Sequence, residues 1–438
     1  PFIRDNAPWI TMLSIRPSWG INGRAPGGDA LYYNYYTTTD AYLGNGGSIR
    51  PRDIRLTSLQ WEESQQWNLG FDFGFFNDKL TFDVNLYTKM TTKMLMNNRE
   101  IPTSSGYSNL RFSNEGKMRN TGWELNLNAN RFVNIGKFSI NGNITFSDNR
   151  NELVEMDPTI LDGYNGDFEF NNGQYLTYVQ LNNAFGSIYG FKCNGTYQYS
   201  DYSAVENPGV SGPDAPVARD ANGDVILDRY GRTKPMMFGY GESSEYQFRG
   251  GDAKYEDINH DGNINELDIV YLGSSLPKLT GGFGLRFSYG RLSLNTQFNF
   301  RYGNKVINAS RMNLESMYDN YNCSMAVNWR WRVEGDITEV PRALHQYGFN
   351  YLGSDRFIED GSMIRLNYVQ LSYSLDPKFT KNIGMQNVSL YVSMNNVFLL
   401  TKYSGPDPEI STGGYGLAQD NSPTPRSKSF TAGLTINF

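Results

Sequence analysis

The chain is poor in the residues that metal, redox and acid–base chemistry most often use. It holds two cysteines, Cys193 and Cys323, and two histidines, His260 and His345, in 438 residues. Two thiols cannot build a disulfide framework or a four-thiolate zinc site, and they read as isolated structural thiols rather than a bridge. Two imidazoles leave little material for histidine-based catalysis. No apolar run approaches the roughly 18 residues of a membrane helix, and mean hydropathy is -0.53, so a helical membrane protein is excluded. A membrane barrel is not, because its strands average polar with apolar positions. Basic charge is short as well: net charge is -6 at pH 7, and nucleic acid, which is held by clustered Lys and Arg, is not an expected partner. No secretory signal is visible at Pro1, so a surface protein with this sequence is expected to have its start elsewhere. Neither a serine nucleophile elbow nor a phosphate-cradling glycine loop is found, and no enzyme activity is expected.

What the chain does have is aromatics and glycine, with 30 Tyr, 26 Phe and 45 Gly, a composition that suits strands and turns. The last stretch sets the pattern. Phe430, Ala432, Leu434, Ile436 and Phe438 alternate with Ser429, Thr431, Gly433, Thr435 and Asn437, giving a strand with one apolar and one polar face. The alternation recurs. Trp9, Leu13, Ile15, Trp19 and Ile21 share one parity; Trp67, Leu69, Phe71, Phe73 and Phe75 share another, and after Asn77-Asp78-Lys79 come Leu80, Phe82, Val84 and Leu86. Trp123 to Ala129 and Phe138 to Phe146 repeat it, as do Phe283 to Tyr289 and Leu292 to Phe300 across Gly290-Arg291. Ile364 and Leu366 have the opposite parity to Val369 and Leu371, which predicts a bulge or a change of environment near Asn367. The pattern predicts about twelve strands, with short turns at one end and long connections at the other, and no clear helix. Apolar faces free of charge fit lipid, where Lys or Arg costs roughly 2–4 kcal/mol at the midplane.

Residues 151–277 form the longest connection, predicted to be an extracellular region of extended hairpins. It contains Asp257, Asn259, Asp261, Asn263 and Asp268 around Gly262, the spacing of a calcium loop. Asp268 replaces the usual glutamate and shortens the reach. Two readings stand: a structural calcium site, or an Asn/Asp/Gly turn cluster with no ion. Asp220-Ala-Asn222-Gly223-Asp224 has its glycine at the fourth position and reads as a hairpin turn. The pairs Glu62-Glu63 and Glu359-Asp360 read as solvated charge, and Tyr32, Tyr33, Tyr35, Tyr36, Trp329 and Trp331 as sugar or peptide stackers, interface aromatics or loop packing.

Five spaced stretches go beyond pattern. Gly251 to Gly262 with Pro277 to Gly284, Trp61 to Asp72, Phe357 to Leu366, Asn395 to Glu409 and Pro425 to Phe438 resemble signatures of the SusC/RagA family of TonB-dependent outer-membrane transporters. The resemblance implies an all-β fold: the C-terminal portion of an antiparallel transmembrane β-barrel, about half of a 22-stranded plugged barrel, with long extracellular loops. It implies a plug, a TonB box and the first strands outside this sequence, since a half-barrel would leave two unpaired edges in lipid. It also implies import of oligosaccharides or peptides through the outer membrane, energy from the TonB complex, and a SusD-like lipoprotein over the outer face. A passive porin or adhesin-like barrel, and a secreted soluble glycan-binding β-protein, are the alternatives.

Overall fold

Period-two alternation becomes, in the computed structural model, a single antiparallel wall. The structure describes residues 7–28, 31–38, 49–165, 175–177, 179–201, 216–239, 245–382, 384–412 and 416–437. The wall has ten strands: β1 (Ile10–Arg24), β2 (Glu62–Phe75), β3 (Leu80–Glu100), β4 (Asn109–Ile135), β5 (Phe138–Met156), β6 (Leu279–Tyr289), β7 (Leu292–Tyr302), β8 (Met363–Ser374), β9 (Asn387–Thr401) and β10 (Ser429–Asn437). Each pairs with its neighbour in chain order. The count is ten among the described residues rather than about twelve. The strands are longer than the pattern suggested, up to 27 residues in β4, and the irregular pieces after β1 pair only with each other, as Tyr36–Thr38 with Ile49–Pro51.

Register shows what the alternation builds. One row runs Leu13, Phe73, Phe82, Leu127, Ile144, Phe283, Phe298, Leu366 and Phe398, crossing nine strands without a polar residue. The adjacent row on the other face runs Ser14, Asp72, Asp83, Asn126, Thr145, Gly282, Asn299 and Arg365. A sheet with one predominantly apolar face and one polar face matches lipid outside and water inside. The expected bulge is present. Leu366 pairs with Phe298 and Tyr368 with Gln297, so Asn367 is the extra residue and both Leu366 and Val369 keep to the apolar side.

Aromatic rings bound the apolar band. Toward the long connections lie Trp19 and Trp67, 5.9 Å apart, with Trp123 nearby on β4. Toward the short turns Trp9 stacks on Phe75 at 5.5 Å. Trp67 to Phe75 is eight residues, or about 20 Å of membrane depth at ~3.3 Å rise and ~40° tilt. At the short-turn end Phe76, Asn77 and Asp78 all take positive φ, and Thr11 Oγ1 donates to Asp78 Oδ1 at 2.6 Å, holding the turn against β1.

The long connections gather at the opposite end and carry a core of their own. Phe191, Phe238, Phe248, Ala253, Ile264 and Leu352 are buried together there. Among the described residues three short helices appear where none was expected: α1 (Pro158–Tyr164) and α2 (Ala309–Glu315) in the long connections, and α3 (Pro377–Asn382) at the short-turn end, beside the Gly290-Arg291 turn. Each is under eight residues, too short for helical periodicity, and local capping starts the first two: Asp157 accepts from Thr159 N–H and Asn308 from Arg311 N–H.

Candidate functional site

The polar face and the loop end are where a solute would meet this chain. On the polar face Arg16 is held bidentately by Asp72, Nε to Oδ2 at 2.6 Å and Nη2 to Oδ1 at 2.7 Å. Nearer the loops, buried Arg365 on β8 donates Nη2 to Asp407 at 2.6 Å and Nη1 to Asn396 at 2.7 Å. Glu409 sits 3.4 Å from Arg365 Nε, 3.3 Å from Arg301 and 3.2 Å from Arg426. Three guanidiniums and two carboxylates thus fasten the β9–β10 connection to the wall, beside a cavity of about 430 Å³ lined by Asp407, Glu409, Gln419 and Asp420. Sequence reasoning singled out Phe357–Leu366 and Asn395–Glu409 without a role. Their charges belong to one cluster, a contact between distant segments that spacing alone does not reveal.

The stretch beginning at Gly251 organises the loops above the wall. Asp252 is fully buried and accepts from Tyr246 Oη at 2.7 Å, Arg249 N–H at 2.8 Å, Arg342 Nε at 2.6 Å and Asn350 Nδ2 at 3.4 Å. Gly251 has φ 85, and a Cβ there would lie 2.3 Å from the Trp331 ring, so the glycine answers to both conformation and close approach. Glu315 bridges Arg311 and Arg356 in a second buried cluster.

The calcium-like loop is formed, and its carboxylates have partners. Asp257 accepts from Asp261 N–H at 3.2 Å and Gly262 N–H at 2.7 Å. Asp268 accepts from Ile258 N–H at 2.8 Å and Asn265 N–H at 2.9 Å, and burial pushes its carboxyl above the ordinary range. Asn259 and Asp261 join side chains at 3.0 Å, while Asn263 turns its Nδ2 to Gly239 O at 3.3 Å and keeps a buried Oδ1 without a partner. Among the described residues no three His, Cys, Asp or Glu side chains gather as a metal shell. These bonds use part of each carboxylate's acceptor capacity, so they suit a self-capped turn and a structural calcium site alike. Melting midpoints in millimolar calcium and in EGTA separate the two: a rise of several degrees with calcium is the outcome for a cation site, and equal midpoints are the outcome for a turn cluster with no ion.

Other residues resolve into structure. Asp220 accepts from Asn222 and Asp224 N–H at 2.9 Å each, with Gly223 at φ 89, making the hairpin turn. Glu62 caps Leu95 N–H at 2.9 Å, and Glu359 accepts from Asn308 at 3.0 Å and Ser404 at 2.8 Å. Trp331 is buried and donates Nε1 to Gln198 at 3.2 Å, so it offers no face to a ligand, whereas Trp329 is exposed. Both cysteines are free. Burial pushes the Cys193 thiol up to about 11, while Cys323 is exposed. Maleimide at pH 8 is expected to label Cys323 alone in the folded protein and both thiols after denaturation, as read by intact mass.

Comparison with known proteins agrees with this geometry. A family model described as TonB dependent receptor-like, β-barrel matches residues 7–240. TonB-dependent receptor P39 of Formosa agariphila is 31% identical over 98% of this chain and 41% of its own length. TonB-dependent receptor SusC of Bacteroides thetaiotaomicron is 25% identical over 98% of this chain and 38% of its own. Among solved structures the RagAB peptide transporter superposes with a TM-score of 0.69 at 22% identity, over 100% of this chain and 42% of that one. The chain thus spans about two fifths of the length of the relatives it matches.

Proposed function

Since this chain belongs to the TonB dependent receptor-like β-barrel family, we propose that the whole protein imports an oligosaccharide or a peptide, using energy passed from the inner membrane through TonB. It resides in the outer membrane, with the apolar row through Phe73, Ile144 and Phe298 against lipid. One observation carries the reading: an apolar row unbroken across nine strands backs a face of Ser, Thr, Asn and charged pairs, the section of a wide water-facing lumen.

The wall and the loop end are this chain's share of that protein. A SusD-like lipoprotein over the loops follows from the resemblance of the five signature stretches, and the Asp252 cluster gives such a partner an ordered surface to meet. Deleting the gene and depleting TonB separately test the proposal, with uptake of fluorescently labelled oligosaccharides and peptides as the readout. Loss of the same uptake in both strains is expected. Uptake that survives TonB depletion would show a passive pore instead.

A further inference from the structure

The described parts of the connection from β1 to β2, residues 25–28, 31–38 and 49–61, lie against the ends of β2 to β4 and leave a cleft in two adjoining lobes. The first, about 530 Å³, lies among Pro26, Leu31, Tyr32, Arg55 and Trp61. The second, about 350 Å³, lies among Lys93, Arg99, Phe112, Asn114 and Glu115. Leu56, Leu59 and Gln60 line both. Each lobe has the size of a ligand pocket, about 300–1,000 Å³, and the shared floor makes the pair long enough for more than one unit of an oligomer.

The cleft is held open by bonds among its own parts. Gln60 and Asn114 exchange two hydrogen bonds, Gln60 N–H to Oδ1 at 2.8 Å and Nδ2 to Gln60 O at 2.9 Å. Arg111 donates Nη2 to Leu31 O at 2.8 Å and lies 5.1 Å over the Tyr35 ring, which pins the connection to β4. Against this frame Tyr32 and Tyr33 are about half exposed, with ring centroids 4.3 Å apart, and Trp61 is 62% exposed. Trp61 is not part of the membrane girdle. Trp61 stands six residues beyond Trp67 toward the loops, about 15 Å further out at ~3.3 Å rise and ~40° tilt.

Charge narrows the ligand. Lys93 is taken by Glu63 at 2.5 Å, and Arg99 by Glu115 at 2.7 Å and Asp157 at 3.0 Å. Arg55 is exposed and has no carboxylate partner among the described residues. Exposed aromatic faces suit the flat apolar side of a pyranose ring, amide and hydroxyl groups suit its edges, and a lone guanidinium suits a carboxylate or sulfate substituent. We propose that this cleft is a subsite for an oligosaccharide bearing acidic groups, with Tyr32 and Trp61 stacking on its rings and Arg55 binding an acid group. The assignment rests on the transporter reading above.

The test uses the full-length protein in detergent, with hexagalacturonate, maltohexaose and hexaglutamate as probes in calorimetry. Hexagalacturonate is expected to bind, and Tyr32→Ala and Trp61→Ala each to weaken it about tenfold or more. Arg55→Gln is expected to weaken hexagalacturonate about tenfold while leaving any maltohexaose binding unchanged. Heat-modifiable gel mobility confirms that each variant is folded. Binding of hexaglutamate alone, no binding of either sugar, or sugar binding indifferent to all three substitutions overturns the assignment. Where uptake still depends on TonB, such a result removes the subsite and leaves the transporter; uptake indifferent to TonB removes both.

Discussion

Asp252→Ala is expected to unfasten the loops above the wall while leaving the wall itself intact. Asp252 is fully buried and accepts hydrogen bonds from four residues that lie up to 98 positions away. Removing it leaves Arg342 without its carboxylate, at Nε and Nη2 distances of 2.6 and 3.2 Å. It also takes away the acceptor of the Tyr246 hydroxyl, while Asn350 keeps its bonds to Arg342 O and Ala253 N–H. Breaking one side of a buried ion pair costs about 3–5 kcal/mol, mostly through the charge left uncompensated. The wall has its own ladder of hydrogen bonds, so the damage is local. Limited trypsin digestion reads this directly. Arg249, Lys254 and Arg342 are expected to become cleavable, while the β1–β10 region keeps its resistance and its heat-modifiable mobility. Unchanged digestion would mean that the neighbouring core of Phe238, Phe248 and Ile264 holds the loops without the ion pair.

The wall was legible in the sequence because a strand facing lipid on one side has a period-two signature that no tertiary contact needs to supply. Phe71, Phe73, Phe82 and Val84 declare their face by alternation, and the parity change between Leu366 and Val369 points to the neighbourhood of Asn367, where the extra residue sits. Strand number was harder. Alternation marks the apolar band but not where the hydrogen-bonded ladder stops, so it does not reveal that β3 and β4 run beyond the band toward the loops.

The loop end was less legible because its structure is built from contacts far apart in the chain. The stretch from Gly251 was noticed by resemblance, yet nothing in its spacing names Arg342 or Asn350 as partners of Asp252. The same holds for Arg365 with Asp407, 42 residues later, and for the cleft, where Gln60 meets Asn114. The calcium-like motif shows the converse. Residue types at the right spacing form a tight turn whether or not they bind an ion, since Asp257 and Asp268 cap backbone amides in that geometry.

Leu125→Arg is the second large effect, and its value lies in its neighbour. Leu125 pairs with Val84 and Phe146 in the middle of the apolar face, and Asn126 pairs with Asp83 and Thr145 on the polar one. An arginine at 125 would place a charge near the bilayer midplane, where the cost is about 2–4 kcal/mol. An arginine at 126 would face water and approach the Asp83 carboxylate, which lies 3.8 Å from Arg16, so its cost is expected to stay within about 0.5 kcal/mol. Denaturant unfolding of the full-length protein in lipid vesicles measures both. In detergent micelles the Leu125 penalty should shrink, because thin, deformable micelles let water and headgroups reach a long side chain. Equal costs at 125 and 126 in vesicles would place lipid on neither face and contradict the barrel. A larger cost at 126 would turn the wall inside out, with Phe73, Leu127 and Phe283 packed inward as the core of a soluble sheet. Only the ordering in which 125 suffers and 126 does not agrees with an apolar row that crosses nine strands unbroken.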